Sequence, residues 1–299
     1  MDSISTLIIF GGFSILGVLG NCFLIFITKK DSIKLPAADI FVVHLASANL
    51  IYLFFRDLSL AVPLLTKNCL PFNIPCMCVD FVMHTALKLS SWCTLMLSVL
   101  RLCKLRKLYS PLWIAVKLEN SSFFSLFVLF QWIFWAAAYV PFLILLPNNE
   151  IVNATICFCS ITTVITTHKW SLETYRLFYL SFSEYLLLVL MAAANLHIIW
   201  VLLKRHRMLF AANQWTRAQN TNRELKAAKV ILFLVVLYVT CWGIHALTQN
   251  IPETIALVVG HTASLLYSVF SPYIIGFGYQ TFREKFKSML TNPELNIKY

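Results

Sequence analysis

The chain has 299 residues, 59% of them hydrophobic and 12% charged, with a formal net charge of +11 and a mean hydropathy of +0.76. A soluble domain carries about 25% charged residues, so this composition cannot furnish a water-facing shell, and a soluble globular protein is excluded. A large excess of cations points to nucleic acid in a soluble protein, but beside membrane spans it points to an anionic inner leaflet, with no nucleic-acid partner.

A helix needs about 20 apolar residues to cross the hydrocarbon, and seven runs of that kind follow one another. The first, 4–28, carries no charge. Its apolar stretch exceeds the roughly 7–15 residues of a cleaved signal core, and Lys29-Lys30 follow it, so it reads as an anchor with its N-terminus outside. The second, 40–65, is interrupted by Arg56-Asp57. The third, 76–100, carries Asp80, His84 and Lys88. The fourth is 121–146, with Trp132 and Trp135 read as lipid-facing or packing residues. The fifth, sixth and seventh are 172–203, 227–250 and 254–278. Beyond them Tyr279, Phe282, Phe286 and Leu290 mark one face of a short amphipathic helix over 279–290. The expected fold is an all-α membrane protein, a seven-transmembrane helix bundle forming one domain over 1–299. An odd number of spans argues against the paired inverted halves of many transporters.

The cations set the orientation. They cluster in the first gap (Lys29, Lys30, Lys34), the third (Arg101, Lys104, Arg106, Lys107, Lys117), the fifth (Lys204 through Lys229) and the tail (Arg283 through Lys298). The N-terminus and the second, fourth and sixth gaps hold only Lys67 and Lys169. Short basic loops stay cytoplasmic, which puts the N-terminus outside and the C-terminus inside.

Cysteines and sequons follow from that topology. Cys69, Cys76, Cys78, Cys157 and Cys159 fall on the outer side, where oxidation permits bridges. A bridge from the mouth of the third helix to the loop before the fifth would pin that loop across the bundle. The Cys-x-Cys spacing does not suit zinc, and no cofactor or metal is expected. Asn153-Ala154-Thr155 is an external glycosylation sequon, whereas Asn120-Ser121-Ser122 lies on the inner side.

Ionisable side chains at bilayer depth are costly and usually pair or line a cavity. Asp80, His84 and Lys88 recur every four residues, so they share one helix face. Lys88 lies about 18 Å below Cys76 at 1.5 Å per residue, and Glu184 reaches a similar depth on the fifth helix. Two readings stand: Lys88 pairs with Glu184, or Asp80 with His84 and Lys88, as a purely structural arrangement; or the stripe lines an outward-open cavity that takes a polar ligand. Arg56, Asp57, Tyr179, His245, Gln249, His261 and Tyr267 are further candidates for such a cavity.

The sequence resembles the rhodopsin-like G-protein-coupled receptors. Gly20-Asn21 sits where that superfamily has its first-helix Gly-Asn, and Leu45-Ala46-Ser47-Ala48-Asn49 matches the second-helix pattern with Asn49 in place of Asp. Cys76 occupies the position of the family's disulfide cysteine. Arg101, 25 residues on, occupies that of its cytoplasmic arginine, with Leu100 replacing the acidic neighbour. Cys241-Trp242 matches the sixth helix, though Ile244 stands where Pro is usual, and Ser271-Pro272 replaces the seventh-helix Asn-Pro. His44 through Leu50, Phe158-Cys159-Ser160 after a sequon, Phe182-Ser183-Glu184 and Lys204-Arg205-His206 are similar to the vomeronasal type 1 receptors and the fish class A-related olfactory receptors. The bitter taste receptors are the nearest rival branch.

The resemblance implies a chemosensory receptor of the plasma membrane of chemosensory neurons. It would bind a small odorant or pheromone-like molecule, with an anionic or an amine group, and activate a heterotrimeric G protein. The implied ligand set is Asp80, His84, Lys88, Glu184, Tyr179, His245, Gln249 and Tyr267. The implied G-protein face is Arg101, Lys104, Arg205, Lys226 and Lys229. The implied bridge is Cys76–Cys159, with Cys78 and Cys157 as alternatives. Uncharged Asn49 does not suit the family's sodium ion. A retinal pigment is excluded because 254–278 has no lysine; an enzyme would need a nucleophile beside a base, and none is seen. A transporter or channel is the alternative of another class.

Overall fold

The computed structural model describes residues 3–29, 36–66, 74–107, 121–145, 174–175, 177–179, 181–211, 215–248 and 254–278. Among them there is no strand, and seven long helices follow in order: α1 (Ser3–Lys29), α2 (Ala37–Thr66), α3 (Ile74–Lys107), α4 (Ser121–Leu145), α5 (Leu186–Ala211), α6 (Trp215–Thr248) and α7 (Thr254–Gly278). A π-helical turn, Ser181–Tyr185, leads into α5. The expected amphipathic helix over 279–290 lies outside the described residues.

The helices outrun the apolar segments on the cation-rich side. α3 runs to Lys107, so Arg101 and Lys104 sit on helix rather than in a loop. α5 reaches Ala211 and α6 begins at Trp215, so most of the long basic gap is helical. The hydrocarbon limits where apolar residues are needed, not where a helix ends, and Arg, Lys, Gln, Glu, Ala and Leu are all good helix formers.

Among the described residues, five stretches are long and apolar enough to cross a membrane: Phe10–Lys29, Ala37–Ser59, Phe123–Pro141, Leu177–Val201 and Val258–Gly276. α6 adds a shorter apolar stretch, Leu232–Thr248. α3 is the polar exception, and its place explains why. It packs against α2, α4, α5 and α6, and Asp80, His84, Lys88, Ser90, Ser91 and Thr94 are all buried. The apolar side chains that a membrane needs are on the outer helices instead, such as Leu19, Phe26, Leu126, Leu196 and Phe233, each strongly exposed. α1 closes the ring by packing on α2 and α7.

A buried amide network ties four helices together. Asn21 donates to the carbonyls of Gly17 (2.8 Å) and Ser268 (3.1 Å). Asn49 donates to Ser271 Oγ (3.0 Å) and to Asn21 Oδ1 (3.3 Å), and accepts from Ser90 Oγ at 2.7 Å. In lipid the hydrophobic effect does not drive helices together, so close packing and such interhelical bonds carry association. The network carries no formal charge, and both amide hydrogens of Asn49 are spent inside the bundle.

Two glycines let backbones approach. A Cβ at Gly17 would lie 2.6 Å from Leu53 Cδ1 and 3.0 Å from Val269 Cγ2. One at Gly20 would lie 2.9 Å from the Tyr273 ring and 3.1 Å from Pro272 Cγ. Beside this contact Tyr273 donates its hydroxyl to Leu16 O at 2.8 Å. At the outer end of the bundle, Thr248 Oγ1 on α6 fills the space that a Cβ at Gly260 on α7 would take.

Overpacking costs about 1–3 kcal/mol where the neighbour cannot yield. Gly20→Ala is therefore expected to lower the melting temperature of the purified protein by several degrees and to reduce surface expression. Gly11→Ala, whose Cβ meets nothing within 4 Å, is expected to lower neither. Equal behaviour of the two variants would overturn the close α1–α7 contact.

Candidate ligand-binding site

The α3 stripe faces α4, α5 and α6. Lys88 and Glu184 form a salt bridge, with both side chains only 2% exposed. Glu184 reaches inward because it sits on the π-helical turn, where one extra residue per turn shifts the register of the side chains. Ser183 and Glu184 are buried while Phe182 and Tyr185 face outward. Such single π turns are frequent at functional sites. The ammonium of Lys88 also stands 5.5 Å from the ring centroids of both Tyr179 and Trp242. The ion pair thus touches α3, the start of α5, and α6 at one point.

Asp80 is held from another direction. The Tyr139 hydroxyl of α4 donates to its Oδ2, and His84 Nε2 lies 3.4 Å from its Oδ1. The His84 ring stacks on Tyr139, 5.3 Å between centroids and 15° from parallel. Trp135, Tyr139 and Tyr179 form an apolar wall behind these groups, with Phe81, Trp92 and Tyr175 packed on it. Trp135 is therefore a packing residue, in keeping with the expectation for the fourth helix.

Toward α7, the Trp242 ring packs edge-on against His245 at 5.1 Å. His245 Nδ1 is 3.1 Å from Gly260 O, and its ring is 6.2 Å from that of His261. Arg56 is fully buried; its Nη1 is 3.4 Å from Asp57 Oδ1, and Asp57 accepts a bond from Ser14 Oγ at 2.9 Å.

Of the candidate ligand residues, the structure brings Asp80, His84, Lys88, Glu184, Tyr179 and His245 into one contiguous cluster. Tyr267 sits deeper: its hydroxyl bonds Thr94, six residues past Lys88 and about 9 Å further along α3, and its ring packs on Tyr238. Gln249 lies outside the described residues. Three members of the cluster were not singled out as ligand contacts from sequence: Tyr139, Trp242 and Trp92. A polar-tipped Tyr in the otherwise apolar fourth run is a faint signal for the first.

Cys76 is disulfide-bonded and Cys78 is a free, exposed thiol. Cys157, Cys159 and the sequon at Asn153 lie outside the described residues. Arg101 and Lys104 belong to α3, Arg205 to α5, and Lys226 and Lys229 to α6; their side chains lie outside the described residues.

Breaking a buried ion pair from one side strands the other charge and costs about 3–5 kcal/mol, whereas replacing both partners with apolar groups is often neutral. Lys88→Met and Glu184→Leu are each expected to lower the melting temperature by several degrees, and the double variant to recover most of that loss. Additive losses in this cycle would mean the two side chains are not coupled.

A family model described as "7 transmembrane receptor (rhodopsin family)" matches residues 20–271. The chain is also similar to "Olfactory receptor class A-like protein 4" of Danio rerio, 27% identical over 326 aligned positions that cover 97% of this chain and 91% of the relative. The match runs from the first-helix Gly20-Asn21 to Ser271 in α7, the two ends of the buried amide network. A membrane-embedded helix bundle with an enclosed polar third helix, matched over that span, is a receptor rather than an enzyme, and the chain belongs to the rhodopsin family of seven-transmembrane receptors.

Proposed function

We propose that this receptor is chemosensory: a small molecule binds among the outer halves of the helices and biases the bundle toward a packing that admits a heterotrimeric G protein at the inner face. The observation that carries this reading is the Lys88–Glu184 pair. It is the one described place where α3, the start of α5 and α6 meet through charged and aromatic groups. A ligand that alters this pair acts on Trp242, and through it on α6. The ligand binds one packing better than the other and shifts the population accordingly. The similarity to a class A-like olfactory receptor favours that branch over the bitter taste receptors.

α6 runs unbroken from Trp215 to Thr248, with Ile244 exposed to lipid. Gly243, next to Trp242, is where its backbone can yield. A Cβ there meets nothing within 4 Å, so Gly243→Ala adds no clash while favouring the straight helix by about 1 kcal/mol. On the inner face, Arg101 and Lys104 of α3, Arg205 of α5, and Lys226 and Lys229 of α6 are assigned to the G protein. The orientation of the cation-rich side supports this, with the N-terminus outside and the chain in the plasma membrane. The bridge from Cys76 is assigned to Cys159, across the top of the bundle.

A response screen tests the reading. Cells expressing the chain with a promiscuous G-protein reporter are exposed to matched carboxylates and amines, with surface expression measured in parallel. At least one class is expected to evoke a G-protein-dependent signal. Lys88→Ala and Glu184→Ala are scored only where they reach the surface, and are expected to lose that signal. Gly243→Ala is expected to blunt it several-fold at unchanged expression. A response fully retained in all three variants would count against this mechanism.

The orientation has its own check. Removal of N-linked glycans is expected to shift the wild-type band on a gel. Asn153→Gln is expected to abolish the shift, and Asn120→Gln to preserve it. The reverse pattern would invert the topology.

A further inference from the structure

Arg56 is a charge whose partners do not account for it. Its side chain is fully buried in α2, about 15 Å along the helix from the outer end at Thr66. It does not extend into water as long cations near helix ends do. A guanidinium has five N–H donors in a planar fork. On one edge, Nη1 meets Asp57 at 3.4 Å, too long for a strong charge-assisted bond. Asp57 is itself 32% exposed and already accepts from Ser14. The face of the guanidinium lies 4.3 Å over the Phe10 ring of α1. On the other edge, Nε and Nη2 are buried without a hydrogen-bond partner in good geometry, and the nearby Tyr52 hydroxyl is already shared with Ser264.

Those two nitrogens are not an arbitrary pair. Their hydrogens run parallel on the same side of the guanidinium, and this edge is the one that grips both oxygens of a carboxylate at once. A buried cation left half-satisfied is expensive, so the fold keeps a bidentate donor unfilled where a structural Arg would have closed it.

We propose that this edge of Arg56 is the anion subsite of the receptor, taking the carboxylate of a small organic acid between α1, α2 and α7. The inference rests on the receptor reading above and names the ligand class. Lys88 is the other buried cation described, and Glu184 already neutralises it. An acid arriving at Lys88 must displace that carboxylate; at Arg56 it displaces none. Asp57 beside the guanidinium disfavours a dianion such as a phosphate monoester and suits a singly charged acid. The neighbouring Phe10, Tyr52 and His261 are buried: Phe10 supplies an apolar face, and the Tyr52 hydroxyl and the His261 ring supply polar edges for the rest of the molecule.

The test uses the purified full-length protein in lipid-doped detergent, with benzoate and hexanoate as probes and benzamide and hexanamide as their uncharged counterparts. A ligand that binds only the folded state raises its melting temperature. At millimolar concentration at least one carboxylate is expected to raise it by a few degrees while its amide does not. Arg56→Met is expected to abolish the shift. Arg56→Lys keeps the charge but loses the fork, and is expected to weaken apparent affinity by about tenfold. Arg56→Met is also expected to melt no lower than wild type without probe, because it removes an unsatisfied charge; a merely structural Arg would predict a fall. If Arg56→Met cannot be purified, the carboxylate-against-amide difference in the wild type and its weakening in Arg56→Lys decide. Equal shifts by acid and amide, no shift by either acid, or a shift surviving in Arg56→Met overturns the subsite. Signalling evoked by amines alone overturns it while sparing the receptor reading. Protection by carboxylates without any G-protein exchange sinks the receptor reading and leaves the subsite standing.

Discussion

No water waits inside a bilayer to take up a stray charge, and Lys88 stands at the middle of α3. Much of the architecture can be traced to that constraint. The ammonium must be enclosed, so α3 occupies the interior and packs against α2, α4, α5 and α6. It must be neutralised, so a carboxylate has to arrive from a neighbouring helix at the same depth. Glu184 does so through a π-helical turn that swings it off the lipid-facing side of the fifth span. The pair cannot be left open on its remaining sides, and the Tyr179 and Trp242 rings complete the enclosure.

The same economy governs the uncharged polar groups. Below the ion pair, amides and hydroxyls are spent on each other: Asn21, Asn49, Ser90 and Ser271 in one network, Thr94 and Tyr267 beside it. Many of the Ser and Thr hydroxyls also bond back to their own helices, as Thr28, Ser91 and Thr94 do. The bundle is therefore held by close backbone approach and by short polar contacts spread through its length. The pattern breaks where buried donors lack a hydrogen-bond partner, among them the guanidinium edge of Arg56, the hydroxyls of Thr85 and Ser183, and the indole nitrogens of Trp92 and Trp242.

Most of the fold was legible in the residues because hydropathy and charge report directly on the solvent. The apolar runs lie within three positions of α1, α2, α4 and α7 at each end. What hydropathy cannot report is a helix continuing into water, which is why the inner ends of α3, α5 and α6 run well past the apolar limit. The polar stripe Asp80, His84, Lys88 was legible from its four-residue spacing, and Glu184 from its depth. The π turn was not: nothing in Ser-Phe-Ser-Glu-Tyr departs from ordinary helical composition, and its contacts, Glu184 with Lys88 of α3 and Phe182 with Trp135 of α4, join residues distant in sequence. Tyr139 as the partner of Asp80 was hidden for a related reason. A Tyr in an apolar span reads as an aromatic until the group its hydroxyl meets is known. The depth of Arg56 was not legible either: adjacency to Asp57 suggests an exposed pair, whereas only the carboxylate keeps contact with the outside.

The tight seat of Thr248 against Gly260 has a mechanical consequence. It fastens the outer ends of α6 and α7 with no clearance, so it acts as a fulcrum rather than as a sliding surface. α6 is 34 residues long, and the arm from Thr248 to Trp215 is about 50 Å. A tilt of about 10° around that fulcrum, taken up in part by the backbone at Gly243, sweeps the far end through up to about 9 Å, while Trp242, one and a half turns from the pivot, travels under about 2 Å. A displacement the size of a bond at the outer cluster is thus geared up fivefold or so at the inner face, and the long helical arm beyond the apolar span sets the gain.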